Sequence, residues 1–256
     1  MPRLSRITIF PIKSLDGVEV ESCDVLPSST LALDRRWALL DSDDCFVNGK
    51  RCAAIHAIRS RYDLGAMTVE LAIDAGRSAT FSLADDLSET AAWFSDALQT
   101  PCRLAENRSA GFPDDTEAPG PTIIATETLR EVAKWFPDWT IDEARRRFRA
   151  NLEIDAPDAF WEDRLTNEPS RFALGGMKWH ATGVCQRCVV PSRDSQSGVP
   201  TKGFQKSFSQ QRRETLPSWA PQSRFDHYYR LAINTRLAGG QPGGTLQIGD
   251  ELTIAR

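Results

Sequence analysis

Residues 67–84 read MTVELAIDAGRSATFSLA, and the alternation of apolar and polar side chains on both sides of Asp74-Ala75-Gly76 predicts an antiparallel strand pair joined by a tight turn. A strand buries every second side chain, and turn formers at the midpoint let the chain reverse. The signal recurs nearby. RLSRITIF sets Leu4, Ile7 and Ile9 among polar neighbours, VEVESCDVL follows after the short loop PIKSLDG, and RRWALLDSDDCFV has the form of a hairpin around Asp41–Asp44. The first hundred residues are therefore expected to be mostly strands, forming a β-meander.

DLSETAAWFSDALQT then changes to helical spacing, with Leu87, Ala91, Phe94 and Leu98 on one face and a capping box from Asp86 to Glu89. TETLREVAKWF predicts a second helix whose Leu129, Val132, Ala133 and Phe136 share a face and which Pro137 ends. Between them NRSAGFPDDTEAPGPT, rich in Gly, Pro and acid, is the candidate domain boundary or mobile loop. Strand patterns return in RANLEID, in RFALGGMKWHATGV with a turn at Gly175-Gly176, in YYRLAINTRL and in GTLQIGDELTIA. Strands at both ends with two helices between them predict an α+β chain, mainly β and barrel-like. No internal repeat, coiled-coil heptad, P-loop or GxGxxG fingerprint is present.

At 256 residues the chain is long enough for one large domain or two packed ones. Hydrophobic residues make up 41% and charged residues 26%, which excludes the disordered class. A formal net charge of −4 argues against a general nucleic-acid binder. The N-terminus MPRLSRITIFPIKSLDGVEV has no apolar signal-peptide core, and the chain has no apolar run of membrane-spanning length, so a cytoplasmic location without a membrane partner is expected. Cys23, Cys45, Cys52, Cys102, Cys185 and Cys188 are irregularly spaced and are expected to be reduced thiols. Arginine is concentrated at Arg35–Arg36, Arg145–Arg149 and Arg212–Arg213, which suits either a small anionic ligand or a solvated surface.

Residues 185–194, CQRCVVPSRD, contain the single CxxC of the chain. Three readings are open: a redox pair, half of a zinc site, or one thiolate presented to a metal cofactor. A redox CxxC starts a helix, and VVPSRDSQSG is poor helix sequence. A structural zinc site takes about four Cys or His ligands, and His180 alone is near enough in sequence to join, while His56, His180 and His227 show no ligand spacing. Buried inert thiols are the plain alternative. Arg187, a fixed cation next to Cys188, suits a thiolate that ligates a soft transition metal and also suits an anionic cofactor.

Four stretches, IFPIKSLDGVEV with Lys13-Ser14, LDRRWALLD with Arg35, FRANLEI with Arg149 and Asn151, and CQRCVVPSRDSQSG with Cys188, stand in an order and spacing that resembles the MOSC-domain proteins. Within them the chain is similar to the mitochondrial amidoxime-reducing component and its bacterial relatives. A looser fifth stretch, YYRLAINTRL with GTLQIGDEL, resembles the closing strands of that family and puts Tyr229 at a cofactor-contact position. The resemblance implies a β-rich N-terminal domain over residues 1–115 packed on a MOSC-type β-barrel over 116–256, with a molybdenum pyranopterin cofactor (molybdopterin) between them. By the same resemblance Cys188 is the catalytic thiolate and metal ligand, and Lys13, Ser14, Arg35, Arg149, Asn151, Gln186, Arg187 and Tyr229 contact the cofactor. The donor set is chemically apt, because a phosphate wants Lys and forked Arg donors and a pterin edge wants Asn, Ser and backbone groups.

The activity this implies is reduction of N-hydroxylated small molecules: hydroxylamines, amidoximes or hydroxylated bases. Two electrons and two protons convert N–OH to N–H and water, the electrons coming from a separate ferredoxin-, flavin- or cytochrome b5-type protein, since no ferredoxin-like domain follows ELTIAR. Asp194 or Asp158 is a candidate proton relay, and no pyridoxal phosphate is expected. The alternatives are sulfur transfer through a Cys188 persulfide and a non-catalytic carrier of the cofactor. Two departures from the family pattern stand out: Asp155, Pro157 and Asp158 occupy the region where relatives often carry a second cysteine, and APGPTIIAT lacks the family's hydroxyl contacts, leaving that side of the pocket to backbone or solvent.

Overall fold

The computed structural model describes residues 1–73 and 76–254, so Asp74 and Ala75 of the expected turn lie outside the described residues. The chain opens with β1 (Arg3–Ile9), β2 (Val18–Val20), β3 (Ser22–Val25) and β4 (Trp37–Leu40), then β5 (Arg59–Asp63), β6 (Thr68–Ile73), β7 (Arg77–Ser82) and α1 (Ser88–Leu98). Next come β8 (Arg103–Glu106), β9 (Ile123–Ala125), α2 (Thr126–Lys134), α3 (Ile141–Phe148) and β10 (Leu152–Asp155). The last part holds β11 (Arg171–Leu174), β12 (Met177–Gln186), α4 (Phe204–Glu214), β13 (Arg230–Leu237), β14 (Gly244–Gln247) and β15 (Thr253–Ile254). The fold is α+β and mainly strand.

Eight strands form one sheet in the order β15-β11-β12-β13-β9-β10-β1-β2. Its single parallel pair, β9 with β10, needs a long crossover, and α2 and α3 supply it. The sheet curls back on itself, because Leu4 N donates to Asp250 O and Gly249 N to Leu4 O, both at 2.8 Å, joining the segment before β15 to β1. Leu4, Ile7 and Ile9 all face the core enclosed by this curl. A register shift between Leu4 and Arg6 turns Leu4 inward, despite the odd spacing between Leu4 and Ile7.

Of the expected meander, sequence neighbours pair in β5-β6-β7, where Ile73 lies opposite Arg77, and in β1 with β2, where Ile7 lies opposite Val20. For β3 and β4 long-range pairing wins. β3 pairs with β14, and β4 pairs with β8 from Trp37 opposite Glu106 to Leu40 opposite Arg103. The hairpin expected around Asp41–Asp44 therefore shrinks to a turn with one bridge, Leu40 to Phe46. The β11–β12 hairpin turns at Gly175 and Gly176, at φ +60° and +70°, a conformation that favours glycine at both positions.

α1 buries Thr90, Trp93, Phe94 and Leu98, but its expected capping box does not form. Leu87 occupies the cap position, and Asp86, one residue earlier, accepts from the Ser88 amide and hydroxyl. α2 stops at Lys134, which leaves Phe136 outside the helix, stacked on Phe204 and tilted against Trp139. Two helices were not expected: α3, which contains most of the RRRFR run and is capped by Thr140 accepting from Glu143 N, and α4, which buries Phe204, Phe208 and Arg212. Each shows a narrow apolar face, so the polar residues hide the period. The Gly/Pro-rich segment 107–122 is pinned by Phe112 N donating to Arg35 O and Gly120 N to Thr235 O. A Cβ on Gly120 would meet Thr235 O at 2.6 Å, so close backbone approach explains that glycine. Among the described residues no helix is long and apolar enough to cross a membrane.

Candidate functional site

Several chain segments converge on one cleft of about 580 Å³, among them the loop after β1, the Asp34-Arg35 turn before β4, residues 48–59, the pinned segment 107–122, the end of α3, and the chain from the end of β12 through Ser195. Lys13, Ser14, Arg35, Arg149, Asn151, Gln186, Arg187, Cys185 and Cys188 all line it. Tyr229 does not. Its ring packs edge-on against Phe204 and Phe208, and its hydroxyl donates to Cys188 O at 3.1 Å, so it braces the cysteine from behind.

Three of the lining residues hold left-handed backbone without being glycine: Ser14 at φ +75°, Arg35 at +49° and Arg149 at +52°. Each such residue costs about 1–3 kcal/mol and persists where its surroundings impose it. The constraints are visible. Ser14 Oγ accepts from Gly49 N at 3.2 Å, Arg35 N donates to Phe10 O at 2.8 Å, and Arg149 N closes α3 on Arg145 O at 2.9 Å. Arg149 is thereby turned out of the helix into the cleft.

Two lysines and seven arginines line the cleft against four aspartates. Lys13 is buried, donating to Phe112 O and Asp114 Oδ1, each at 2.8 Å. Burial lowers its ammonium below the ordinary lysine value despite Asp114. Burial acts against the Asp114 carboxylate too, but Lys13 and Arg35 together hold it well below the usual carboxylate range. Arg35 is likewise disfavoured by burial yet raised overall by its pair with Asp34. Arg149 lacks such a partner. Among the described residues its guanidinium makes no ion pair or hydrogen bond, lying 4.1 Å over the Phe10 ring, and burial with the Arg35 cation draws it down to about 10.

Asn151, expected as a cofactor contact, is a buried clamp. Its Nδ2 donates to Thr8 O and Asp34 Oδ1, each at 3.1 Å, while Oδ1 accepts from Thr122 N at 3.3 Å. It holds the Asp34–Arg35 pair in place and leaves its amide hydrogens no free valence for a ligand. Thr122 brings a hydroxyl to the side of the cleft assigned to backbone and solvent, though it is 3.5 Å from Asn151 Oδ1.

The cation expected beside Cys188 belongs to its neighbour. Arg187 Nη1 lies 3.3 Å from Cys185 Sγ and Nη2 donates to Phe148 O, whereas Cys188 Sγ receives the Val190 amide at 3.5 Å. Arg187 Nε and Arg193 Nε are buried without a partner. Among the described residues no three His, Cys, Asp or Glu side chains cluster as for a metal, and His180 Nδ1 is 2.9 Å from Ser170 O. Neither Asp194 nor Asp158 lines the cleft. Asp194 bonds Ser197 and pairs with Arg147, Asp158 is exposed, and the carboxylates that face the ligand space are Asp16, Asp34, Asp114 and Asp115. The sequence reading also missed His56, Arg59 and Arg193 on the cleft wall, which no local pattern marks. Burial lowers the His56 imidazole below its ordinary value, and Arg149 and Arg193 add to that.

A curled sheet with a cation-rich cleft and a thiol at its wall fits the comparison with known families. The MOSC N-terminal beta barrel domain matches residues 1–139 and the MOSC domain matches residues 121–253. The chain belongs to the MOSC-domain proteins. A molybdenum cofactor sulfurase of Drosophila erecta is 25% identical over 225 residues, covering 77% of this chain and 28% of its own length. One of Danio rerio is 24% identical over 254 residues, covering 81% of this chain and 30% of its own. The chain thus spans less than a third of these relatives. Among solved structures, the YUAD protein of Bacillus subtilis is similar at a TM-score of 0.40 and 12% identity, over 98% of this chain and 94% of that one.

Proposed function

We propose that the cleft binds a molybdenum pyranopterin cofactor and that the chain uses it to reduce N-hydroxylated small molecules, with electrons from a separate ferredoxin-, flavin- or cytochrome b5-type protein. The observation that carries the cofactor reading is Arg149, an unpaired guanidinium in a cleft where cations outnumber carboxylates. A cation drawn below its ordinary pKa by burial asks for an anion, and a phosphate-bearing cofactor supplies one. The unpartnered Nε atoms of Arg187 and Arg193 lie in this same cation-rich open cleft, where a ligand has room to reach them. The residues fit the group.

In this reading Arg149, Arg35 and Lys13 hold the anionic end, Ser14 and Gln186 offer polar contacts, and Cys188 is the thiolate ligand to molybdenum. Asn151 and Asp34 keep Arg35 in place, and Tyr229 steadies the Cys188 carbonyl. The bound metal would supply the two-electron removal of oxygen from N–OH, while the protein binds, orients and shields the reactants. Metal analysis by mass spectrometry on protein from a cofactor-competent host, beside Cys188→Ser, tests this. Stoichiometric molybdenum that falls at least about tenfold in the variant is expected, together with conversion of benzamidoxime to benzamidine under a chemical reductant. Protein without molybdenum from such a host would sink the proposal.

Sulfur transfer is the second reading. It is favoured by the name molybdenum cofactor sulfurase borne by the relatives and by Cys185 sharing the cleft with Cys188. Cyanide-labile sulfur on Cys188, with no reduction of benzamidoxime, would select it. Bound pterin with neither activity would leave a carrier.

A further inference from the structure

We propose that Arg147 is a positioning residue for Cys188, fixing the segment that carries this thiol against the end of α3. Arg147 is buried, with a side chain 5% exposed, yet it does not pair off with one carboxylate in the manner of a surface arginine. Its guanidinium fans out over a loop. Nε donates to Glu143 at 2.5 Å within α3, Nη1 reaches Pro191 O at 3.3 Å and Thr201 Oγ1 at 3.4 Å, and Nη2 reaches Asp194 Oδ2 at 3.4 Å. The plane of the group lies over Trp139, 4.5 Å from the ring centre. One rigid fork therefore ties both arms of the 188–201 loop to the helix.

Two neighbours reinforce the tie. Glu143, the helical partner of Arg147, also accepts from Ser195 Oγ at 2.6 Å, and Phe148 O accepts from Arg187, the residue before Cys188. Pro191 follows Cys188 by three residues, and the Val190 amide between them is the donor to Cys188 Sγ. Releasing Pro191 O therefore loosens the turn that sets where the sulfur points. Arg149, two residues further along the chain, enters the cleft, so the same helix end presents the unpaired cation and holds the thiol segment.

The consequence for function rests on Cys188 being the working thiol of the proposed function. The test reads the loop and not turnover, so a chain without reductase activity still decides it. Full-length protein prepared without molybdenum is alkylated with iodoacetamide, and labelling rates are resolved by cysteine with mass spectrometry, using exposed Cys45 as the internal reference. Arg147→Met is expected to raise the Cys188 rate relative to Cys45 roughly tenfold, the scale of losing charged hydrogen bonds, and Arg147→Lys to fall between it and the unsubstituted chain. Arg145→Met, on the same helix as Arg147, is the control: it breaks the two 2.8 Å bonds to Glu153 of β10 without touching the loop, and is expected to lower the melting temperature while leaving the Cys188 ratio unchanged. If Arg147→Met does not fold, Arg147→Lys against Arg145→Lys carries the same comparison. An unchanged Cys188 ratio in the Arg147 variant, or an equal rise in the Arg145 control, overturns the proposal.

Discussion

The cleft and the cluster around Arg212 both take arginine out of water, and they resolve the expense in opposite ways. Arg212 is fully buried and pairs with Asp163, itself 1% exposed, while Phe160 and Phe225 cover its guanidinium at 4.0 Å and 5.1 Å. Its Nε and Nη1 have no hydrogen-bond partner, as with the Nε atoms of Arg187 and Arg193 in the cleft. An orphaned buried N–H therefore does not mark a ligand site by itself. The Arg212 cluster has its counter-charge built in and aromatic rings where a ligand would go, whereas Arg149 faces open volume with no carboxylate of its own. A ligand site is recognised by charge imbalance together with space.

That contrast is open to direct attack. Arg212→Met strands the buried Asp163 carboxylate and is expected to destabilise the fold by about 3–5 kcal/mol, measured by urea unfolding. A loss below about 1 kcal/mol would mean the pair is not the structural element described. A second test uses pH. Burial, and then the Asp163 charge, hold the Glu162 carboxyl well above the usual carboxylate range, so between its ordinary unfolded value of about 4.3 and its raised folded value the folded chain keeps a proton that the unfolded chain has lost. Stability from this group is full below that window and drains away as pH rises through it. Glu162→Gln is expected to remove a slope of up to about 1.4 kcal/mol per pH unit, and unfolding curves that stay parallel to the parent across the window would contradict the assignment. The smallest effect belongs to the cleft. Arg149→Met removes a cation that has no partner to strand, so it is expected to shift stability by less than about 1 kcal/mol, in the stabilising direction, while abolishing the thermal shift given by added phosphate. A loss as large as that of Arg212→Met would erase the difference between the two regions.

Much of the local structure was legible. β6 and β7, the Gly175-Gly176 hairpin and α1 announce themselves because periodicity and turn chemistry are written in neighbouring residues. α3 and α4 were not, because arginines such as Arg147 and Arg212 read as surface while being buried. Lys13, Arg35, Arg149 and Cys188 were all picked out through the family resemblance, and the fold brings them to one cleft. Their individual relations were not legible.

The sequence by itself determined which residue types were available, a thiol beside an arginine and several cations within an acidic chain, along with the strand-rich local pattern. Only the tertiary structure decided who meets whom. Lys13 finds its acceptor 99 residues away at Phe112, and Asn151 finds Asp34 across 117 residues. Arg187 turns to Cys185 and Phe148 instead of Cys188, and Asn151 spends its amide on the protein rather than a ligand. The physical reason is that a residue's period comes from its own backbone, whereas the partner of a buried charge is set by the closing of a sheet whose neighbouring strands come from opposite ends of the chain.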